Sequence, residues 1–137
     1  MSDLVSFLRA RLDEDEQAAL AASWDDDGSR RWQAHHREQY DGRWVLNDDM
    51  DEGVTEVQAQ AADDGAVARH IARHDPALVL RDVEAKRKLL DEYTEARDHE
   101  GANYEWIGGW ANGLGQAVTL LALAHADHPD YRPEWRP

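Results

Sequence analysis

The stretch that decides the fold is Arg31-Trp-Gln-Ala-His-His-Arg-Glu-Gln-Tyr-Asp-Gly-Arg-Trp-Val-Leu46. From Arg31 the side chains alternate with period two, which is the period of a half-buried strand. Asp41-Gly42 then separates this run from Arg43-Trp-Val-Leu46. Both residues tolerate positive φ, so an Asp-Gly between two strand-like runs predicts a β-hairpin. Strands are expected near 31–40 and 43–48, with Trp32, Tyr40 and Trp44 as an aromatic cluster on one face. A lone hairpin is marginal in water and must pack on helices.

Outward from the hairpin the period becomes helical. Leu4, Val5, Leu8 and Leu12 give one apolar face to a helix over 2–22, with Ser2 as its cap and Asp3 near its positive end. Asp25-Asp-Asp-Gly-Ser29 breaks that pattern. The acidic segment 49–63 reads as a loop, with a short strand at 54–57 or a linker both open. A short helix is expected over 64–74, capped by Asp63 or Asp64. Asp75-Pro76 starts a long helix over 76–97, because Asp caps well and Pro suits the first helical position. Its stripe is Val79, Leu80, Val83, Leu90 and Tyr93. After a loop from His99 to Gly109, a helix over 112–124 is apolar almost all round and is expected at the centre of the core. The tail 126–137 holds three of the four prolines and is expected to run extended, anchored by Tyr131 and Trp135. The fold class is therefore α+β, mainly α: three to four helices, one hairpin at about 31–48 and an extended tail, in a single domain.

Composition narrows the function. The chain has 137 residues, of which 42% are hydrophobic, enough for one core. No run approaches a membrane span, and the N-terminal residues lack a secretory pattern, so a cytoplasmic protein is expected. Without cysteine there are no thiolate metal sites or cysteine nucleophiles. Lys and Arg number 15 against 29 Asp and Glu, a formal charge of −14. Such a surface repels nucleic acid and favours a protein partner with a basic surface, although acidity that merely keeps the chain soluble is the simpler reading.

Three groups of residues could carry function. His70 and His74 stand four apart on one helical face, a spacing that suits zinc. His125 and His128, with Asp127 between them, could complete a site if the two segments converge. The helical His-Glu-x-x-His signature is missing, and a capping or packing role explains the same residues. Trp106, Trp110, Tyr131 and Trp135 lie in or near loops, where aromatics with polar neighbours anchor interfaces; completing an alanine-rich core is the alternative. Gly113-Leu-Gly115 at a helix start hints at a phosphate cradle, but no strand precedes it, so helix initiation or close packing explains it better. The acidic loops fail the calcium-loop spacing, no Gly-Lys-Ser/Thr loop exists, and no serine has a nucleophile-elbow context.

Three blocks also resemble a known family. They are Asp3-Leu-Val-Ser-Phe-Leu-Arg-Ala-Arg-Leu-Asp-Glu-Asp-Glu16, then His70-Ile-Ala-Arg-His-Asp-Pro-Ala-Leu-Val-Leu-Arg-Asp-Val-Glu-Ala-Lys-Arg87, then Leu120-Leu-Ala-Leu-Ala-His-Ala-Asp-His-Pro-Asp-Tyr-Arg-Pro-Glu-Trp135. The chain resembles a family of small proteins of unknown function from actinobacteria, chiefly streptomycetes, and their phages. The resemblance implies a taxonomic setting and an intact domain, and no activity. The functional expectation is a non-catalytic protein-interaction or regulatory module, leaning away from an enzyme, with a homodimer open. The alternatives are a metal-binding protein or metal-dependent enzyme using the His70/His74 and His125/His128 cluster, with a divalent transition metal such as zinc, and an acidic DNA mimic. The mimic is disfavoured because the acids cluster at 13–16, 25–27, 48–52 and 63–64 rather than in two rows.

Overall fold

A computed structural model of the chain describes residues 2–24, 27–59, 63–99 and 105–137, with the side chains of residues 2, 40 and 105–107 left aside. The elements in chain order are α1 (Ser2–Ala21), β1 (Trp32–Arg37), β2 (Arg43–Asp48), β3 (Gly53–Glu56), α2 (Asp64–Arg73), α3 (Pro76–Asp98) and α4 (Glu105–Leu123). The chain divides into two compact units. One comprises Met1–Glu14 and Val83–Pro137, the other Asp15–Asp82.

The second unit is built on an antiparallel sheet in the order β1-β2-β3. The expected hairpin is its first half, paired from Trp32↔Asp48 to Arg37↔Arg43. Asp41 and Gly42 take φ of 55° and 73°, the left-handed turn that their identities predict. The connection is longer than a two-residue turn, because β1 ends at Arg37 and a 3-10 turn occupies Glu38–Tyr40. The expected hairpin is therefore only part of the sheet, and of the two readings left open for the acidic segment 49–63 the short strand expected at 54–57 is the one found. Gly53–Glu56 adds a third strand, with a register shift opposite Leu46/Asn47. The turn before it is tied by its acids: the Asp48 carboxylate accepts from Met50 N–H and Glu52 N–H, each at 2.9 Å.

One face of this sheet packs on α2. Leu46, Val57 and Ala68 form the buried cluster, flanked by Trp32, Ala34, Trp44, Ile71 and Ala72. Trp32 and Trp44 thus share a face as expected, while the Tyr40 side chain lies outside the described ones. Gly65 and Ala68, three apart on α2, are small and buried where the helix meets the sheet. Asp63 is the cap of α2, accepting from Ala66 N–H at 3.0 Å. Asp75 caps α3 through Leu78 N–H at 2.9 Å, and its other oxygen accepts from Trp32 N–H at 3.1 Å.

The first unit holds the helical core. Leu4, Leu8 and Leu12 of α1, Val83 and Leu90 of α3, and Val118 and Ala122 of α4 are all buried. Three expectations are corrected. The last helix begins at Glu105 rather than 112, so Gly113 and Gly115 lie inside α4 and not at its start. It is also not central all round, since Leu120 is 58% and Leu123 43% exposed. The expected loop at 99–109 falls partly on residues outside the described ones. The tail is not wholly extended either: Pro133–Trp135 forms a 3-10 turn, with Pro in the first position that its fixed φ suits. Its aromatics close the core, with Phe7 ring centroids 6.1 Å from Tyr131 and 5.1 Å from Trp135.

Candidate functional site

The histidines fall in different units. His70 and His74 are exposed on α2 in the second unit, their ring centroids 4.5 Å apart. His74 Nδ1 is 2.8 Å from the His70 carbonyl oxygen, which it can bond only as a donor. His125 and His128 belong to the first unit and stand edge-on to Phe7, with centroids at 6.1 and 5.5 Å. His128 Nδ1 accepts from Asp130 N–H at 3.1 Å, and Arg11 Nη1 contacts the same ring. Asp127 is exposed beside them. Among the described residues no group of three or more His, Asp or Glu is placed to hold a metal ion.

The aromatic candidates divide as well. Tyr131 and Trp135 are both buried and serve the core. Trp110 is half-buried on α4, and the Trp106 side chain lies outside the described ones. Arg132 bridges the tail to α1 through Asp3 at 3.0 Å and sits over the Trp135 ring.

Two surfaces that the sequence did not single out stand open. The first is the β3 edge of the sheet. All four residues of β3 are exposed. Val57 N–H donates to Trp44 C=O at 2.9 Å. In an antiparallel ladder the next pair, Val45↔Glu56, is then not hydrogen-bonded, and the Glu56 backbone N–H and C=O face the open side. Beside this edge Arg43, Glu56, Val57, Gln58 and Ala59 line a hollow of about 460 Å³. Glu56 on the strand and Asp49, Asp51 and Glu52 in the turn before it are exposed. The Asn47 side-chain amide and then the Arg37 guanidinium hold the Asp51 carboxyl below the usual carboxylate range, at 2.8 and 3.0 Å. The available signal was the Asn47–Gly53 run, whose Asx-type residues followed by Gly mark a tight turn back into a strand.

The second surface is a groove of about 790 Å³ between the C-terminal half of α3 and the middle of α4. Tyr93, Arg97, Asn112, Gln116, Thr119 and Leu120 are its principal walls, Gly115 its floor, and Pro137 stands at its rim. Among the described residues no Asp or Glu side chain lines it. Arg97 rests on the Tyr93 ring, 5.6 Å from the centroid. A Cβ at Gly115 would come within 3.3 Å of that ring, so this glycine serves close packing, as expected over a phosphate cradle. Among the described residues no helix is long and apolar enough to cross a membrane.

Sheet, helices and open surfaces together define a small acidic α+β protein with an uncovered strand edge and a groove between helices. The chain belongs to DUF6221, a family of unknown function, which matches residues 1–137. Comparison with curated proteins and with solved structures gives no match.

Proposed function

We propose that the protein is a non-catalytic interaction module, of actinobacterial or phage origin, whose β3 edge takes up an extended basic segment of a partner protein. The observation that carries this reading is the wholly exposed strand β3, with the backbone polar groups of Glu56 directed outward. An open edge offers ready-made hydrogen bonds to an added strand. Charged residues on an edge ordinarily protect against self-association. Here Glu56 is paired with Arg43, and the turn before the strand adds the exposed Asp49, Asp51 and Glu52, so an excess of acids that repels a second copy of this chain attracts a lysine- or arginine-rich strand. The total of −14 supports the same sign of partner.

The test is calorimetric titration with a peptide of alternating lysine and threonine, and with its glutamate–threonine counterpart as control. Binding of the basic peptide only, weakened by salt, is expected. Glu56→Pro removes the outward N–H while leaving the Val57 bond to Trp44, and should weaken binding by about tenfold. Affinity unchanged in Glu56→Pro, or peptide-induced amide shifts away from residues 43–59, overturns the reading.

A further inference from the structure

We propose that the α3–α4 groove is a binding site for a small, singly charged carboxylate with an apolar body. It involves other residues than the sheet edge and does not rest on that reading. The volume of about 790 Å³ falls in the range of sites that enclose small organic ligands. Asn112, Gln116 and Thr119 recur at helical spacing, so one strip of α4 presents its polar groups to the groove together. Leu120, Ala111 and the edge of Tyr93 supply apolar wall. Leu120 is exposed at 58%, an apolar area that a ligand would remove from water.

The donors point to an anion. Among the described residues Arg97 is the only charged side chain of the lining, and the Asn112 and Gln116 amides add neutral N–H donors. Thr119 has already given its hydroxyl proton to the Gly115 carbonyl at 2.9 Å. Asp and Glu make up 29 of 137 residues, yet none of the described ones lines this groove. Elsewhere the arginines meet them: Arg9, Arg37, Arg43, Arg87 and Arg132 each pair with a carboxylate. Arg97 instead lies against the Tyr93 ring. A guanidinium held on a ring keeps its N–H fork in its own plane, suited to two parallel bonds with one carboxylate. The charge of the whole chain sets the valence of the ligand. At −14 the surrounding field repels anions in proportion to their charge, and one guanidinium offsets one unit.

The experiment uses the full chain, 15N-labelled, titrated with 1-naphthoate, with the uncharged 1-naphthalenemethanol, and with 1-naphthyl phosphate. Naphthoate is expected to shift amides within residues 93–97 and 111–120, and to bind about tenfold tighter than the alcohol. The phosphate should bind more weakly than naphthoate. Arg97→Gln should cost naphthoate about tenfold and leave the alcohol unchanged, while Arg97→Lys restores part of the loss. Gln116→Glu is an exposed substitution that leaves packing intact and puts a carboxylate into the groove. It should repeat the selective loss, which separates a ligand site from a folding defect in the Arg97 variants. Equal binding of naphthoate and alcohol, shifts outside the two segments, or no binding overturns the site. Tighter binding of the phosphate overturns the assignment of a singly charged ligand.

Discussion

Gly65→Ala should destabilise the protein although it puts the best helix former into a helix. Gly65 is the second residue of α2 and is buried. A Cβ there would lie 2.8 Å from Trp44 Cζ2, 2.9 Å from Cε2 and 3.0 Å from Arg69 Nη1. Carbon atoms settle at about 3.5–4.0 Å, so the indole would have to retreat by roughly 0.7 Å or more. It has little freedom to do so. Trp44 packs on the Leu46, Val57 and Ala68 cluster, the His36 ring stands 5.4 Å away, and Arg69 covers the indole at 5.3 Å. Overpacking of this kind costs about 1–3 kcal/mol, against about 0.5–1 kcal/mol returned by replacing glycine in a helix. The net loss is about 1–2 kcal/mol, or roughly 3–6 °C in Tm for a chain of this size. Gly113→Ala is the matched control, since nothing lies within 4 Å of its Cβ position. It should gain about 0.5–1 kcal/mol. Thermal unfolding followed by circular dichroism measures both. A Gly65→Ala protein as stable as wild type, or a Gly113→Ala protein less stable, refutes the reasoning. In the Gly65→Ala background, Trp44→Phe should recover part of the loss, because the smaller ring vacates the contested space.

Asp75→Ala removes both the cap of α3 and the acceptor for Trp32 N–H; urea unfolding should show a loss of about 2–3 kcal/mol. Tyr131→Phe should be neutral or stabilising by up to about 1 kcal/mol in the same assay, because the buried Tyr131 hydroxyl has no hydrogen-bond partner among the described residues. The Asp51 carboxyl is held below its ordinary value, so its contribution to stability is present above the unfolded pKa of about 4 and is lost as pH falls through the lower, folded value. Asp51→Asn should therefore flatten the stability curve below about pH 4 and leave its shape near pH 7 unchanged, as thermal melts across pH will show.

Local pattern carried a good part of the fold. Leu4, Leu8 and Leu12 mark the buried face of α1 because four-residue spacing aligns side chains on any helix. Asp75-Pro76 marks the start of α3, since a cap and a fixed φ act within one turn. Asp41-Gly42 marks the turn between β1 and β2, because only such residues adopt positive φ without strain. The third strand was legible only as one of two readings of 54–57. Gly53–Glu56 is short, acidic and interrupted by a register shift, and it is a strand because β2 offers it a partner. The candidate surfaces lay further out of reach. Leu120 reads as core from its neighbours in the chain, and the packing leaves it on the wall of a groove. Arg97 reads as one helix charge among many until Tyr93 and α4 are set beside it. The sequence by itself determined the helices, the first hairpin and the sign of the surface charge, because propensity, capping and charge are local or additive. The tertiary structure alone decided which strand edge stays open, which leucines meet water and which arginine lies on an aromatic ring beside a groove, because each depends on partners distant in sequence.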